Sequence, residues 1–113
     1  MTPLELSDKL AKILNHTILH SSPGNKQISS LGIITGGANS EWKLCLDEGL
    51  DSYLTGEMSE HDWHEAKESG IHFFAGGHNA TEQYGVQALL ETLKEKFSDK
   101  NLELIFIESK NPA

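Results

Sequence analysis

The sequence has a single cysteine, Cys45, which excludes an internal disulfide and a thiolate metal cluster. It lies between Leu44 and Leu46 in a helical pattern and reads as a buried, unreactive thiol. No apolar run approaches the length that spans a bilayer. Met1 to Glu5 lack the basic start and apolar core of a signal peptide. Basic residues are scarce: 9 Lys and Arg stand against 17 Asp and Glu, a net charge of −8. With no basic run, a grip on a nucleic-acid backbone is not expected, because phosphate contacts need clustered cations. A nucleotide substrate stays open if metal ions carry the positive charge. A phosphate-binding signature is missing as well. Gly36-Gly37-Ala38-Asn39-Ser40 offers backbone amides before a helix, yet it has neither the Lys-Ser/Thr ending of a P-loop nor a full GxGxxG. Together these absences point to a cytoplasmic protein.

What is present fits one small α/β domain over residues 1–113, long enough to bury a core. Thr2 to Leu14 reads as an amphipathic helix with Pro3 at its start. Thr17 to His20 is a short β-prone segment, and Ser21 to Asn25 is a turn. A repeat follows: Gly36, Gly56 and Gly76 recur at a spacing of 20 residues, each after a short apolar run. The runs are Leu31–Thr35, Asp51–Thr55 and Ile71–Ala75. Each glycine leads into a helical stretch, roughly Ser40–Glu48, Ser59–Ser69 and Asn79–Phe97. Gly49 and Gly70 close the first two as C-cap glycines do. The spacing predicts three consecutive βα units, with Leu102–Glu108 as a final strand. The expected fold is therefore a two- or three-layer α/β sandwich on a largely parallel or mixed sheet.

In open α/β sheets, ligands collect at the carboxyl ends of the strands. That edge carries the stretch around which the chain is organised, Ala75 to Gly85. It reads as strand, glycine turn and helix start. His78 and Glu82, four apart, share one helix face, and an imidazole and a carboxylate there can share a divalent metal. A plainer reading makes Asn79 the N-cap and Glu82 its capping-box partner. Glu57 faces the same edge, as metal ligand, outer hydrogen-bond acceptor or general base, or as a solvated acid near a helix N-terminus. His64 could orient a ligand or a phosphate, while His61 reads as exposed. Ser59 and Asp62 form a looser capping pair. His16, His20 and His72 have no partner in the pattern and read as structural or exposed. Trp42 and Trp63 read as packing residues.

Several strings together resemble a known family. They are Leu54-Thr55-Gly56-Glu57, Trp63-His64, Ala75-Gly76-Gly77-His78-Asn79-Ala80-Thr81-Glu82, Tyr84-Gly85 and Asn111-Pro112-Ala113. The resemblance is to the dinuclear-metal GTP cyclohydrolase 1 type 2 homologues, the Ngg-interacting-factor family. It runs over most of the chain and is clearest from Gly36 onward. It implies two divalent metal ions in a cleft between two halves of the protein. A His-His pair and an Asp come from the N-terminal half, and a His and a Glu from the C-terminal half. By motif the latter two are His78 and Glu82, with Glu57 and His64 near the site. Zinc, iron and manganese all suit such a set. The resemblance also implies hydrolase-like chemistry on a nucleotide or other small molecule, and a homo-oligomer, typically a hexamer. This sequence has no adjacent His-His pair, and Ala38 stands where relatives often carry a third glycine. The expectation is thus a C-terminal half, inactive alone, whose exposed apolar surface promotes self-association.

Overall fold

The computed structural model describes residues 1–113. Its elements, in chain order, are α1 (Pro3–Leu14), β1 (Leu19–Ser21), β2 (Gly32–Ile33), a 3-10 turn (Asn39–Glu41), α2 (Trp42–Asp47), β3 (Ser52–Thr55), α3 (Glu60–Glu68), β4 (His72–Ala75) and α4 (His78–Lys96). Thr2 caps α1 in a full capping box with Glu5. Ser59 caps α3 by accepting from the Asp62 amide. No helix is long and apolar enough to cross a membrane.

The three βα units are present, and β2, β3 and β4 run parallel. The sheet order is β1-β4-β3-β2. β1 lies antiparallel to β4, pairing Leu19 with Ala75 and Ser21 with Phe73. The sheet is therefore mixed. Every residue of β3 and β4 is buried, as central strands covered on both faces require. On one face Tyr53 and Phe73 pack with Trp42, Cys45, Ala66 and Ile71. On the other, Leu54 and Phe74 pack with Leu10 and Ile28. The alternation along each strand sends α2 and α3 to one side and α1 to the other, which makes three layers.

Two features differ from the sequence expectation. The terminal run Leu102–Glu108 forms no strand; the fourth strand of the sheet is the shorter segment Leu19–Ser21. The helix expected from Ser40 divides into the 3-10 turn and six residues of α2.

Polar groups inside the layers are mostly paired. Asp51 ties β3 to the preceding loop, accepting from the Ser29 hydroxyl at 2.7 Å and the Ser30 amide at 2.9 Å. Burial alone would raise its carboxyl. The hydrogen bonds from Ser29 and Ser30 overcome that and hold it at about 2. Across β1 and β4, His20 Nε2 lies 3.2 Å from His72 Nδ1, and the His20 ring stacks on Phe74 at 4.2 Å. Burial, then the neighbouring His72, pushes His20 down to about 4. Burial likewise lowers His72. The two histidines that had no local partner are thus partners across the sheet.

Candidate metal centre

The ladder between β3 and β4 does not stop at the strand ends. The Gly76 amide donates to the Thr55 carbonyl at 3.0 Å, and the Gly77 amide to the Gly56 carbonyl at 2.9 Å. These bonds lay the two glycine turns side by side. Gly56 has no room for a side chain, since a Cβ there would sit 2.8 Å from His78 Cα. Gly77 has φ +89, and a Cβ on it would come within 2.7 Å of the His16 ring. Both turns therefore need glycine for close approach, and Gly77 needs it for its backbone angle too.

This closeness brings Glu57 to His78. His78 Nδ1 is 3.0 Å from Glu57 Oε1, and His78 Nε2 is 3.3 Å from Glu82 Oε1. Gly77 caps α4, so Asn79 lies inside the helix. Glu82 turns to His78, and the capping-box reading of Asn79 and Glu82 does not hold. The three side chains are partly exposed, 57% for Glu57, 40% for His78 and 44% for Glu82, so the cluster opens to solvent on one side.

The donor set suits a divalent ion. A separation of 3.3 Å between Nε2 and Oε1 is that of neighbouring ligands each about 2.0–2.1 Å from one cation. A carboxylate can only accept, so Nε2 and Glu82 face each other well only with a positive centre between them, a proton or a metal ion. Glu57 lies on the opposite nitrogen, the place from which an outer carboxylate would fix the tautomer and aim of a metal-binding histidine. No group of three or more His, Cys, Asp or Glu side chains is arranged to hold an ion.

His64 lies elsewhere. It lines a neighbouring depression with Leu19, Met58, Ser59, Glu60 and Trp63 and meets the Trp63 ring edge-on at 4.9 Å. Leu19 and Met58 also line the cleft of Glu57 and His78, so the two hollows adjoin. The sequence reading missed His16, which lines the cleft with Pro112 and Ala113. Its Nδ1 is 2.7 Å from the Thr17 carbonyl and its Nε2 3.0 Å from the Pro112 carbonyl. The Ala113 carbonyl accepts from the Asn79 amide at 2.9 Å, satisfying a donor that the first turn of a helix leaves free. These contacts join residues as much as 96 positions apart, and no local pattern signals them.

Fold and cluster together define a layered α/β protein with a histidine–carboxylate centre at the carboxyl edge of a mostly parallel sheet. The sequence profile described as Duf34/NIF3 (NGG1p interacting factor 3) matches residues 1–112. The chain belongs to that family. It is 39% identical over 115 residues to a GTP cyclohydrolase 1 type 2 homolog of Vibrio cholerae, a match covering all of this chain and 44% of the relative. A protein of the same name from Pseudomonas aeruginosa is 49% identical over 79 residues, covering 70% of this chain and 30% of its own length. The solved structure of protein ybgI superposes with a TM-score of 0.88 at 36% identity, over all of this chain and 46% of that one. The chain thus spans less than half the length of these relatives.

Proposed function

We propose that this chain is the C-terminal portion of a dinuclear metal-dependent, hydrolase-like protein, with His78 and Glu82 as its ligands. The observation that carries the reading is the 3.3 Å approach of His78 Nε2 to Glu82 Oε1, with Glu57 on the other ring nitrogen. In this reading His78 binds through Nε2 and keeps its proton on Nδ1, where Glu57 accepts it. Glu57 is a positioning residue. His64 lines the adjoining hollow, where it can meet part of a bound substrate. When bound, the ions, zinc, iron or manganese by ligand chemistry, would supply a Lewis acid able to activate water and polarise a substrate oxygen. The relatives' name points to a nucleotide substrate, GTP among them. The complete protein in this reading is a cytoplasmic homo-oligomer.

A non-catalytic metal-binding module is the second reading. It rests on the same pair, His78 and Glu82, because a metal held there need not activate a substrate. Metal titration and nucleotide turnover separate the two. This chain alone is expected to bind metal weakly, and tightly once joined to the remainder of a family protein. His78→Ala should abolish that gain. Glu57→Gln should weaken it by about 10–100-fold. Tight binding unaffected by His78→Ala would sink the assignment. Metal without turnover would select the module.

A further inference from the structure

A second pair of metal-ligating side chains lies at the other end of β4 from the His78 cluster. His72 opens that strand, whereas His78 follows its carboxyl end. The β1–β4 register sets His20 opposite Phe74, and His72 stands two residues before Phe74, so the three side chains share one face of the sheet. His20 Nε2 is 3.2 Å from His72 Nδ1, and Ser22 Oγ is 3.4 Å from the same nitrogen. His72 is only 2% exposed, while His20 and Ser22 are half-buried. Packing explains the pair poorly. An imidazole placed in an apolar layer must bury two polar nitrogens, which is unfavourable wherever one lacks a partner. A single proton shared between His20 Nε2 and His72 Nδ1 satisfies that contact. It leaves His72 Nε2 buried without a hydrogen-bond partner of normal geometry.

We propose that His20 Nε2 and His72 Nδ1 form a second metal site, for a divalent ion of the zinc or copper kind. Their 3.2 Å separation is that of neighbouring ligands each about 2.0–2.1 Å from one cation. Imidazole suits zinc, copper and nickel, whereas magnesium and calcium take oxygen ligands. Burial keeps the His72 ring neutral, as a ligand must be. Against that stronger effect, the Asp51 carboxylate and the Lys26 backbone favour positive charge on the ring, with the Lys26 ammonium opposing them. Asp51 thus supplies negative charge beside an ion held by two uncharged ligands. Binding needs no net loss of a proton. The one between the rings moves to Nδ1 of His20, and His72 keeps its own on Nε2, leaving two bare nitrogens that converge. Water fills the remaining positions on the half-exposed side of His20, where the Ser22 hydroxyl can hold it. The site uses no residue of the His78 cluster and does not rest on the reading of that cluster.

Zinc titration of the His78→Ala chain tests it, since that background removes the other cluster. The readouts are the ring-nitrogen NMR resonances of each histidine and the urea midpoint. Zinc should shift His20 and His72 together and raise the midpoint, because an ion bound by the folded chain alone stabilises it. Copper should bind more tightly than zinc, and magnesium should move neither ring. His20→Phe, added to the same background, keeps a ring against Phe74 and should abolish the rise in midpoint. The resonance measurement stands by itself should that double variant not fold. Zinc that shifts neither ring, or one without the other, would overturn the proposal. So would a zinc-dependent rise in midpoint that survives His20→Phe, since the ion would then sit elsewhere and the pair would be a plain hydrogen bond in the core.

Discussion

The centre of the sheet and the arm formed by α4 with the segment that lies along it, Leu104–Phe106, are both rich in apolar residues, and they end in opposite environments. Every residue of β3 and β4 is buried, whereas α4, with 19 residues, buries only Ala80. The strands are covered from both sides by helices of the same chain. The arm has nothing on its outer face, and its regularity comes from local helix bonding. Pattern specifies which face is apolar; burial depends on whether a covering element is at hand. Stability should therefore differ by region in this molecule, held in the sheet and little affected by changes on the exposed face of α4.

Phe74→Ala should give the largest effect. Phe74 is fully buried between His20 and the Leu10–Leu54 cluster, and truncation in such a site costs about 3–5 kcal/mol, read by urea unfolding. Acid should attack the same region. The unfolded chain binds a proton on His20 near 6.5, while the folded chain resists until about 4. Stability is thus full above pH 6.5 and falls as pH drops towards 4, with His72 acting in the same direction. His20→Phe should flatten that part of the pH profile. Gly77→Ala should cost about 1–3 kcal/mol, because its φ of +89 and the His16 ring leave no place for a methyl group. The smallest effect is expected in the arm: Leu89→Ala should stay within about 0.5 kcal/mol of the parent. A large loss there would show that the arm is already covered in solution, and the contrast with the sheet would fail.

The sequence disclosed what depends on local pattern. Continuous apolar runs at Asp51–Thr55 and Ile71–Ala75 mark central strands, since both faces of such strands are covered. The glycine repeat places the turns on one edge, and from there the approach of Glu57 to His78 follows. Contacts closed by distant segments stayed hidden. β1 is three residues long, and its histidine finds its partner across the sheet. His16 meets Pro112 through the fold alone. The run Leu102–Glu108 has the composition of a strand, but it lies along α4 and pairs with neither open edge of the sheet, β1 or β2. His64, expected near the site, lines the hollow that adjoins the His78 cluster, edge-on to its α3 neighbour Trp63.

If His78 and Glu82 bind an ion as proposed, the bonds from Gly76 to Thr55 and from Gly77 to Gly56 also bear on how quickly it is captured. With the two turns stitched together, the carboxylate of Glu57 and the ring of His78 are aimed before any ion arrives, and no loop has to close around it. Capture at this edge should then keep pace with the shedding of water from the hydrated ion. It should differ among metals as their water-exchange rates differ, whatever the flexibility of the surrounding chain.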